Sequence, residues 1–204
     1  MAKLYYFHDP MCSWCYAFDA VLTQIENNLP GSVQLIKIVT GLAPDSIELM
    51  PVALQKSIQG HWKRIEETVS SVQFNYDFWT INQPIRSTYP ACRAVLAAKK
   101  QGADFENKMI KQIQWAYYKN AQNPSLDETL IQCAQRVGLD SSVFKTDYTG
   151  QEVEMELQKQ IYFTKQSAVF SYPSLRLERA LKLVPIGIDY NDAEGLLKQI
   201  INEE

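Results

Sequence analysis

Cysteine is scarce in this chain, with four residues in 204. That is far below the density of small secreted scaffolds, so disulfides do not form a framework here and any dithiol has a task instead. An excess of charge of either sign is also missing: 20 Lys and Arg stand against 23 Asp and Glu, for a net charge of -3. This balance leaves no electrostatic footprint for nucleic acid or an anionic membrane, and neither partner is expected. No run approaches the roughly 18 apolar residues of a spanning helix. The first apolar run, Leu4 to Phe7, is cut by His8, Asp9 and Pro10 before it reaches the length of a signal-peptide core, so cytoplasmic residence is the expectation. Repeats, low-complexity tracts and long Gly/Ser linkers are lacking too. What is present, 46% apolar and 11% aromatic residues, is enough to bury a substantial core in one domain.

The two ends of the chain read differently from its middle. Leu4 to Phe7 suits a buried strand closing at a turn. From Ser13 to Leu29 the apolar residues Cys15, Phe18, Val21, Leu22, Ile25 and Leu29 recur at helical steps, and Pro30-Gly31 stops the pattern. Val33 to Val39 is rich in β-branched residues and reads as a second strand. From Ile47 to about Gln166 helical periods follow one another: Ile47–Ser71 with Pro51 as a first-turn position or break, then Pro90–Gln101, Ala103–Lys119, Leu126–Val137 and Gln151–Thr164. Ser125, with Glu128 three positions on, predicts a capping box for the fourth of these. Two short strands, Ser174–Leu177 and Ala180–Pro185, form a hairpin about Glu178-Arg179, and Asn191–Ile201 is a closing helix. The order is β-α-β, a helical block, then β-β-α, which makes the block an insertion packed on one α/β core.

Cys12 and Cys15 form Cys-Ser-Trp-Cys where the first strand passes into the first helix. Unpaired N–H groups and the positive dipole end at a helix start stabilise a negative sulfur at Cys12. Cys15, one turn later, lies on the same side and can reach that sulfur. Attack by Cys12 on a disulfide gives a mixed disulfide that Cys15 resolves. Two other readings stand beside this one. The pair is half of a zinc site, for which His8, His61, Cys92 and Cys133 offer no second pair at ligand spacing, or it is inert packing. Cys92 and Cys133 fall on apolar helix faces as small core residues. His8 and Asp9 before the motif and Ser13 within it are candidates for tuning Cys12. Trp14, flanked by both cysteines, is expected to face outward as a substrate contact. The aromatics about Trp62, Trp79 and Trp115 either pack helices or line a cleft.

This arrangement resembles the DsbA-like branch of the thioredoxin superfamily. The segments Phe7-His8-Asp9-Pro10-Met11-Cys12-Ser13-Trp14-Cys15 and Ser87-Thr88-Tyr89-Pro90-Ala91-Cys92-Arg93-Ala94 look closest to FrnE-like disulfide isomerases. These adjoin the 2-hydroxychromene-2-carboxylate isomerase and kappa-class glutathione transferase group. The resemblance implies a single domain, with a thioredoxin-like core from residues 1–44 and 167–204 and a helical insertion from 45–166. It implies Cys12 as nucleophile, Cys15 as resolving thiol, and Tyr172-Pro173 as a cis pair presenting the substrate backbone to Cys12. Position 6, where relatives carry a buried carboxylate, is Tyr6, so proton transfer from Cys15 falls to water, Asp9 or Lys37. Ser13-Trp14 lacks the histidine of the most oxidising relatives, which implies a less oxidising couple.

The expected function is a reductase or isomerase of disulfides. It binds no cofactor and no metal, carries a redox-active Cys12–Cys15 disulfide, and is served by glutathione or a thioredoxin-type reductant. Its partners are disulfide-containing proteins or peptides, or a small thiol. Two alternatives remain: glutathione-dependent isomerase or transferase action on a small aromatic substrate, and a non-catalytic module that binds peptide.

Overall fold

Period-two patterning puts Leu4 and Tyr6 on one face of the first strand and Tyr5 and Phe7 on the other. The computed structural model, which describes residues 1–203, buries both faces. The elements run β1 (Ala2–His8), α1 (Ser13–Asn28), β2 (Val33–Val39), α2 (Val52–Thr68), α3 (Phe78–Ile81), α4 (Tyr89–Lys100) and α5 (Ala103–Tyr118). There follow α6 (Asp127–Arg136), α7 (Ser141–Tyr148), α8 (Gln151–Gln166), β3 (Ser174–Arg179), β4 (Lys182–Ile186) and α9 (Ala193–Glu203).

Strands from both ends of the chain share one sheet, in the order β2-β1-β3-β4. β1 runs parallel to β2, with Leu4 opposite Leu35, and antiparallel to β3, with Leu4 opposite Leu177. A parallel pair needs a crossover, and α1 supplies it. Its Phe18, Val21, Leu22 and Ile25 pack with Leu4 and Tyr6, joined by Leu196 and Ile200 of α9. On the other face Phe7, Ile38 and Val169 meet Tyr5 and Phe163. Every element between β2 and β3 is helical. Within that block α4 is buried from Ala94 to Ala98 on all sides, which its small residues permit. A second cluster centres on Trp62, fully buried against the rings of Phe74, Trp79, Tyr117 and Tyr118 at 4.7–5.7 Å. Trp79 therefore packs helices, whereas Trp115 is 45% exposed beneath the Arg136 guanidinium.

Four sequence expectations need correction. The helix expected from Ile47 starts at Val52, because Pro51 takes the cap position and its carbonyl accepts from Leu54 and Gln55. Ser125 does not cap α6; its hydroxyl donates to the carbonyls of Ser87 at 2.7 Å and Ile85 at 3.3 Å, a tertiary tie that wins over the local box. The hairpin turn lies at Ala180-Leu181, with φ of 47° and 65°, and Arg179 still pairs with Lys182. Two-residue loops between right-twisted strands need left-handed backbone, and here strand pairing imposes it on residues that do not favour it. Finally, α3 and α7 were not expected. Yet α7 has a sequence signal in Asp140, whose carboxylate accepts from Ser142 and Val143 N–H at 2.9 Å.

Candidate active site

β1 ends at His8, and Asp9-Pro10-Met11 carry the chain to the start of α1, where Cys12 occupies the cap position. Its Sγ accepts the Cys15 backbone N–H at 3.4 Å, standing where a serine or aspartate oxygen usually caps a helix. The Cys12 thiol also donates to the Tyr172 carbonyl, 3.7 Å away. Tyr172 reaches that position through a cis peptide to the buried Pro173, just before β3. A register pairing Phe7 with Ser174 brings the two ends of the chain together at this point.

The two sulfurs sit in different surroundings. Cys12 opens on a cleft of about 250 Å³, whose walls include Met11, Trp14, Trp62, Arg86 and Tyr172. Cys15 is buried, and burial followed by the neighbouring Cys12 sulfur pushes its thiol well above the ordinary range. Behind it lies a cavity of about 20 Å³, lined among others by Tyr6, Glu26, Lys37 and Asn107. That is room for about one water with polar partners. Lys37, 7% exposed, donates to both Glu26 oxygens at 3.0 and 3.1 Å and to the Asn107 side-chain oxygen. The Tyr6 hydroxyl is held well above its usual range by burial and the two nearby sulfurs.

Asp9 is fully buried beneath the Cys12 turn. Its carboxylate accepts from Met11 N and Leu42 N at 2.8 Å, from the Thr88 hydroxyl at 2.7 Å, and from the Cys92 thiol at 3.6 Å. Burial raises its pKa, and those hydrogen bonds with the charge of Arg86 oppose the rise. Two segments distant in sequence, at Leu42 and at Thr88 to Cys92, are thereby tied to the turn that carries Cys12. The Leu42 segment follows Gly41, whose φ is +59° and whose missing Cβ would sit 2.5 Å from the Tyr89 ring, so only glycine fits.

His8 departs from its expected part. It is fully buried, stacks on Tyr6 at 4.9 Å, and neither ring nitrogen has a partner among the described residues. Burial lowers its pKa to about 3, so it is neutral near pH 7 and puts no positive charge beside Cys12. Ser13 lines the cleft, and Trp14 is half-buried there with its ring 5.0 Å from Tyr190. Cys92 is core as expected, with the added bond to Asp9, and Cys133 lies 3.8 Å from the Gln112 carbonyl. No group of three or more His, Cys, Asp or Glu among the described residues is placed to hold a metal, and no described helix is long and apolar enough to cross a membrane. Sequence reasoning missed Arg86, Glu26, Asn107 and the clamp role of Asp9. Only Thr88, within the segment that carries the resemblance, had a local signal.

A family model described as thioredoxin matches residues 5–178. The chain is similar to the ClpXP adapter protein SpxH of Halalkalibacterium halodurans, 27% identical over 180 residues that cover 84% of this chain and 57% of the relative. With SpxH of Bacillus subtilis it is 23% identical over 214 residues, covering 99% and 68%. It thus spans little more than half the length of the first of these curated relatives. Among solved structures, a protein from Nitrosomonas europaea assigned as a protein disulfide isomerase superposes with a TM-score of 0.86 at 22% identity, covering 98% of this chain and 96% of that one. The cytosolic disulfide reductase DsbM of Pseudomonas aeruginosa gives 0.79 at 19% identity, again covering 98%, and 97% of DsbM. At these identities the likeness is one of fold: a thioredoxin-like sheet carrying a helical block, as in DsbA-type proteins.

Proposed function

The chain belongs to the thioredoxin family, and on that premise we propose that it is a thiol–disulfide oxidoreductase of the reductase or isomerase type, with Cys12 as nucleophile and Cys15 as resolving thiol. One observation supports this above the others. The Cys12 sulfur, at the start of α1, faces both an open cleft and the Tyr172 carbonyl, while Cys15 is buried one turn behind it. Such a pair has one sulfur that substrate reaches and one that only Cys12 reaches.

In the proposed cycle the Cys12 thiolate attacks one sulfur of a substrate disulfide. That S–S bond breaks, one thiolate leaves, and a Cys12–substrate disulfide forms. Cys15 then loses its proton and attacks Cys12 Sγ, releasing the second thiolate. Two electrons pass from the dithiol to the substrate, and the protons lost by Cys12 and Cys15 end on the two product thiols. Trp14 and Tyr172-Pro173 flank an extended substrate, and Ser13 lines the same cleft. Glutathione or a thioredoxin-type reductant returns the Cys12–Cys15 disulfide to the dithiol. Reduction of insulin disulfides by the wild-type chain and not by Cys12→Ser supports the reading; equal rates contradict it.

Burial opposes ionisation of Cys15, so its proton needs a route out. We assign that route to the small cavity behind Cys15, lined by the Lys37–Glu26 pair, with Tyr6 in place of the carboxylate of relatives. Lys37→Met is expected to slow resolution of the mixed disulfide at pH 7 by about tenfold or more, as loss of a proton-transfer group does. Cys12 alkylation should change far less, and the deficit should shrink as pH rises. Equal slowing of both reactions would make Lys37 structural only.

A reducing, cytoplasmic setting completes the proposal, since a Ser-Trp dipeptide between the cysteines supports reduction or isomerisation over net oxidation. The solved neighbour DsbM is itself described as cytosolic. The FrnE-like grouping agrees with this reading and rests on the two sequence segments alone. Similarity to the SpxH adapters favours a second reading, in which the cleft binds a protein segment without turnover. Phe170, 88% exposed at the rim of the cleft, is suited to that use. In that case binding of the partner survives Cys12→Ser.

A further inference from the structure

The cleft at Cys12 holds a charge that no described residue pairs with. Arg86 lines it, half-buried, and makes no ion pair or hydrogen bond among the described residues. Basic groups that line two other clefts behave otherwise. Arg93 pairs with Asp45 and Glu154, and the groove between α4 and α8 is lined by Lys99, Lys100 and Lys159, each paired with a carboxylate. The buried Asp9 and Tyr117 feel the Arg86 charge, but the Asp9 carboxylate is already engaged by four donors. No Asp or Glu among the described residues lines the cleft; its other nitrogen base is the exposed His61. A guanidinium partly withdrawn from water, with free donors in a fixed fork, matches a carboxylate. The cleft, at about 250 Å³, falls just below the roughly 300–1,000 Å³ of pockets that enclose small ligands. It admits a small thiol compound or the end of a peptide, with aromatic walls for the apolar part.

We propose that Arg86 is the carboxylate anchor of the Cys12 cleft, so that the small substrates of this chain are disulfides bearing a free carboxylate, held with one sulfur at Cys12. The inference rests on the dithiol reading for its chemistry, while the anchor itself needs only binding. With the carboxylate on Arg86, Cys12 displaces the distal thiolate and keeps the anchored half as mixed disulfide. Cys15 then releases it as a thiol, with the electron and proton balance already given.

Three probes of graded charge separate the outcomes: dithiodipropionate, a dianion; hydroxyethyl disulfide, neutral; and cystamine, a dication. At low salt the wild-type chain should reduce the dianion about tenfold more efficiently in kcat/KM than the neutral probe, with cystamine slowest, and added salt should narrow the spread. Arg86→Gln should lower kcat/KM for the dianion about tenfold more than for hydroxyethyl disulfide. Equal losses for all three probes, or a wild-type chain without charge preference, would overturn the anchor and leave the dithiol reading in place. Binding of S-methylglutathione, which has carboxylates but no reactive sulfur, provides the converse. If no disulfide is reduced but this ligand binds and Arg86→Gln weakens it about tenfold, the anchor stands and the dithiol reading falls. Absence of binding together with absence of turnover overturns both.

Discussion

Replacing Cys12 by serine should reduce disulfide turnover to the uncatalysed background, a loss of at least about a thousandfold, with the fold intact. An alcohol forms no disulfide and is a far weaker nucleophile than a thiolate, so neither the mixed disulfide nor the internal one can arise. The fold should survive because Cys12 occupies the cap position of α1, where its sulfur accepts from Cys15 N–H at 3.4 Å. Serine is among the preferred residues for that position and keeps an acceptor there. Circular dichroism and the urea midpoint should therefore match the wild-type chain while activity is lost. Residual turnover near the wild-type rate would remove Cys12 from the chemistry. Loss of activity accompanied by loss of fold would assign it a structural part only.

The second large effect is on stability against pH, and it comes from His8. The folded pKa is about 3 against an ordinary 6.5, because burial disfavours the imidazolium and the charges of Lys37 and Lys99 add to that. Well above pH 6.5 neither the folded nor the unfolded chain holds a proton there, and stability is unaffected by this group. As pH falls below 6.5 the unfolded chain takes up the proton and the folded chain does not until about pH 3, so folding loses stability throughout that window. The slope approaches about 1.4 kcal/mol per pH unit, and the loss from this residue is about 2.5 kcal/mol between pH 7.5 and 4.5. His8→Phe keeps a ring to stack on Tyr6 and removes two ring nitrogens that have no partner among the described residues. It should be at least as stable as wild type near pH 7, and its urea midpoint should decline less steeply on acidification. Parallel pH profiles for the two chains would show that His8 is protonated or hydrated in the folded state.

Local rules carry far in this chain where the pattern is long. α1, α4, α5 and α8 are legible from apolar spacing, and β1 and β2 from β-branched and aromatic runs. The element order β-α-β, helical block, β-β-α follows from them. What fails is short or decided from a distance. α7 has only Phe144 and Tyr148 as buried apolar positions, too few to establish a period. Ser125 looks like a cap until the Ser87 carbonyl is brought within 2.7 Å by the packing of other elements. Ala180-Leu181 carries no turn chemistry, and the antiparallel register beside it fixes the turn.

The candidate site divides in the same way. Cys12 and Cys15 stand out because a four-residue motif and a helix start are local facts. Asp9 reads as a residue near the motif, and its work as a clamp depends on Leu42, Thr88 and Cys92, which are 33, 79 and 83 residues away. His8 reads as a polar strand end, yet the sheet and helices close over it completely. Arg86 belongs to no motif. It becomes informative only when the cleft shows that it has no counter-ion among the described residues.

The account depends most on Cys12 and Cys15 forming one reversible two-electron couple, and equilibration in graded ratios of reduced and oxidised glutathione, followed by acid quenching and peptide mass analysis, measures that directly. The expected result is an intramolecular Cys12–Cys15 disulfide that appears and disappears reversibly. Its potential should be more reducing than that of a strong oxidant at about −120 mV, within the span of roughly −180 to −270 mV of isomerases and reductases. No Cys12–Cys15 disulfide at any ratio, with both thiols free or only mixed with glutathione, would contradict it.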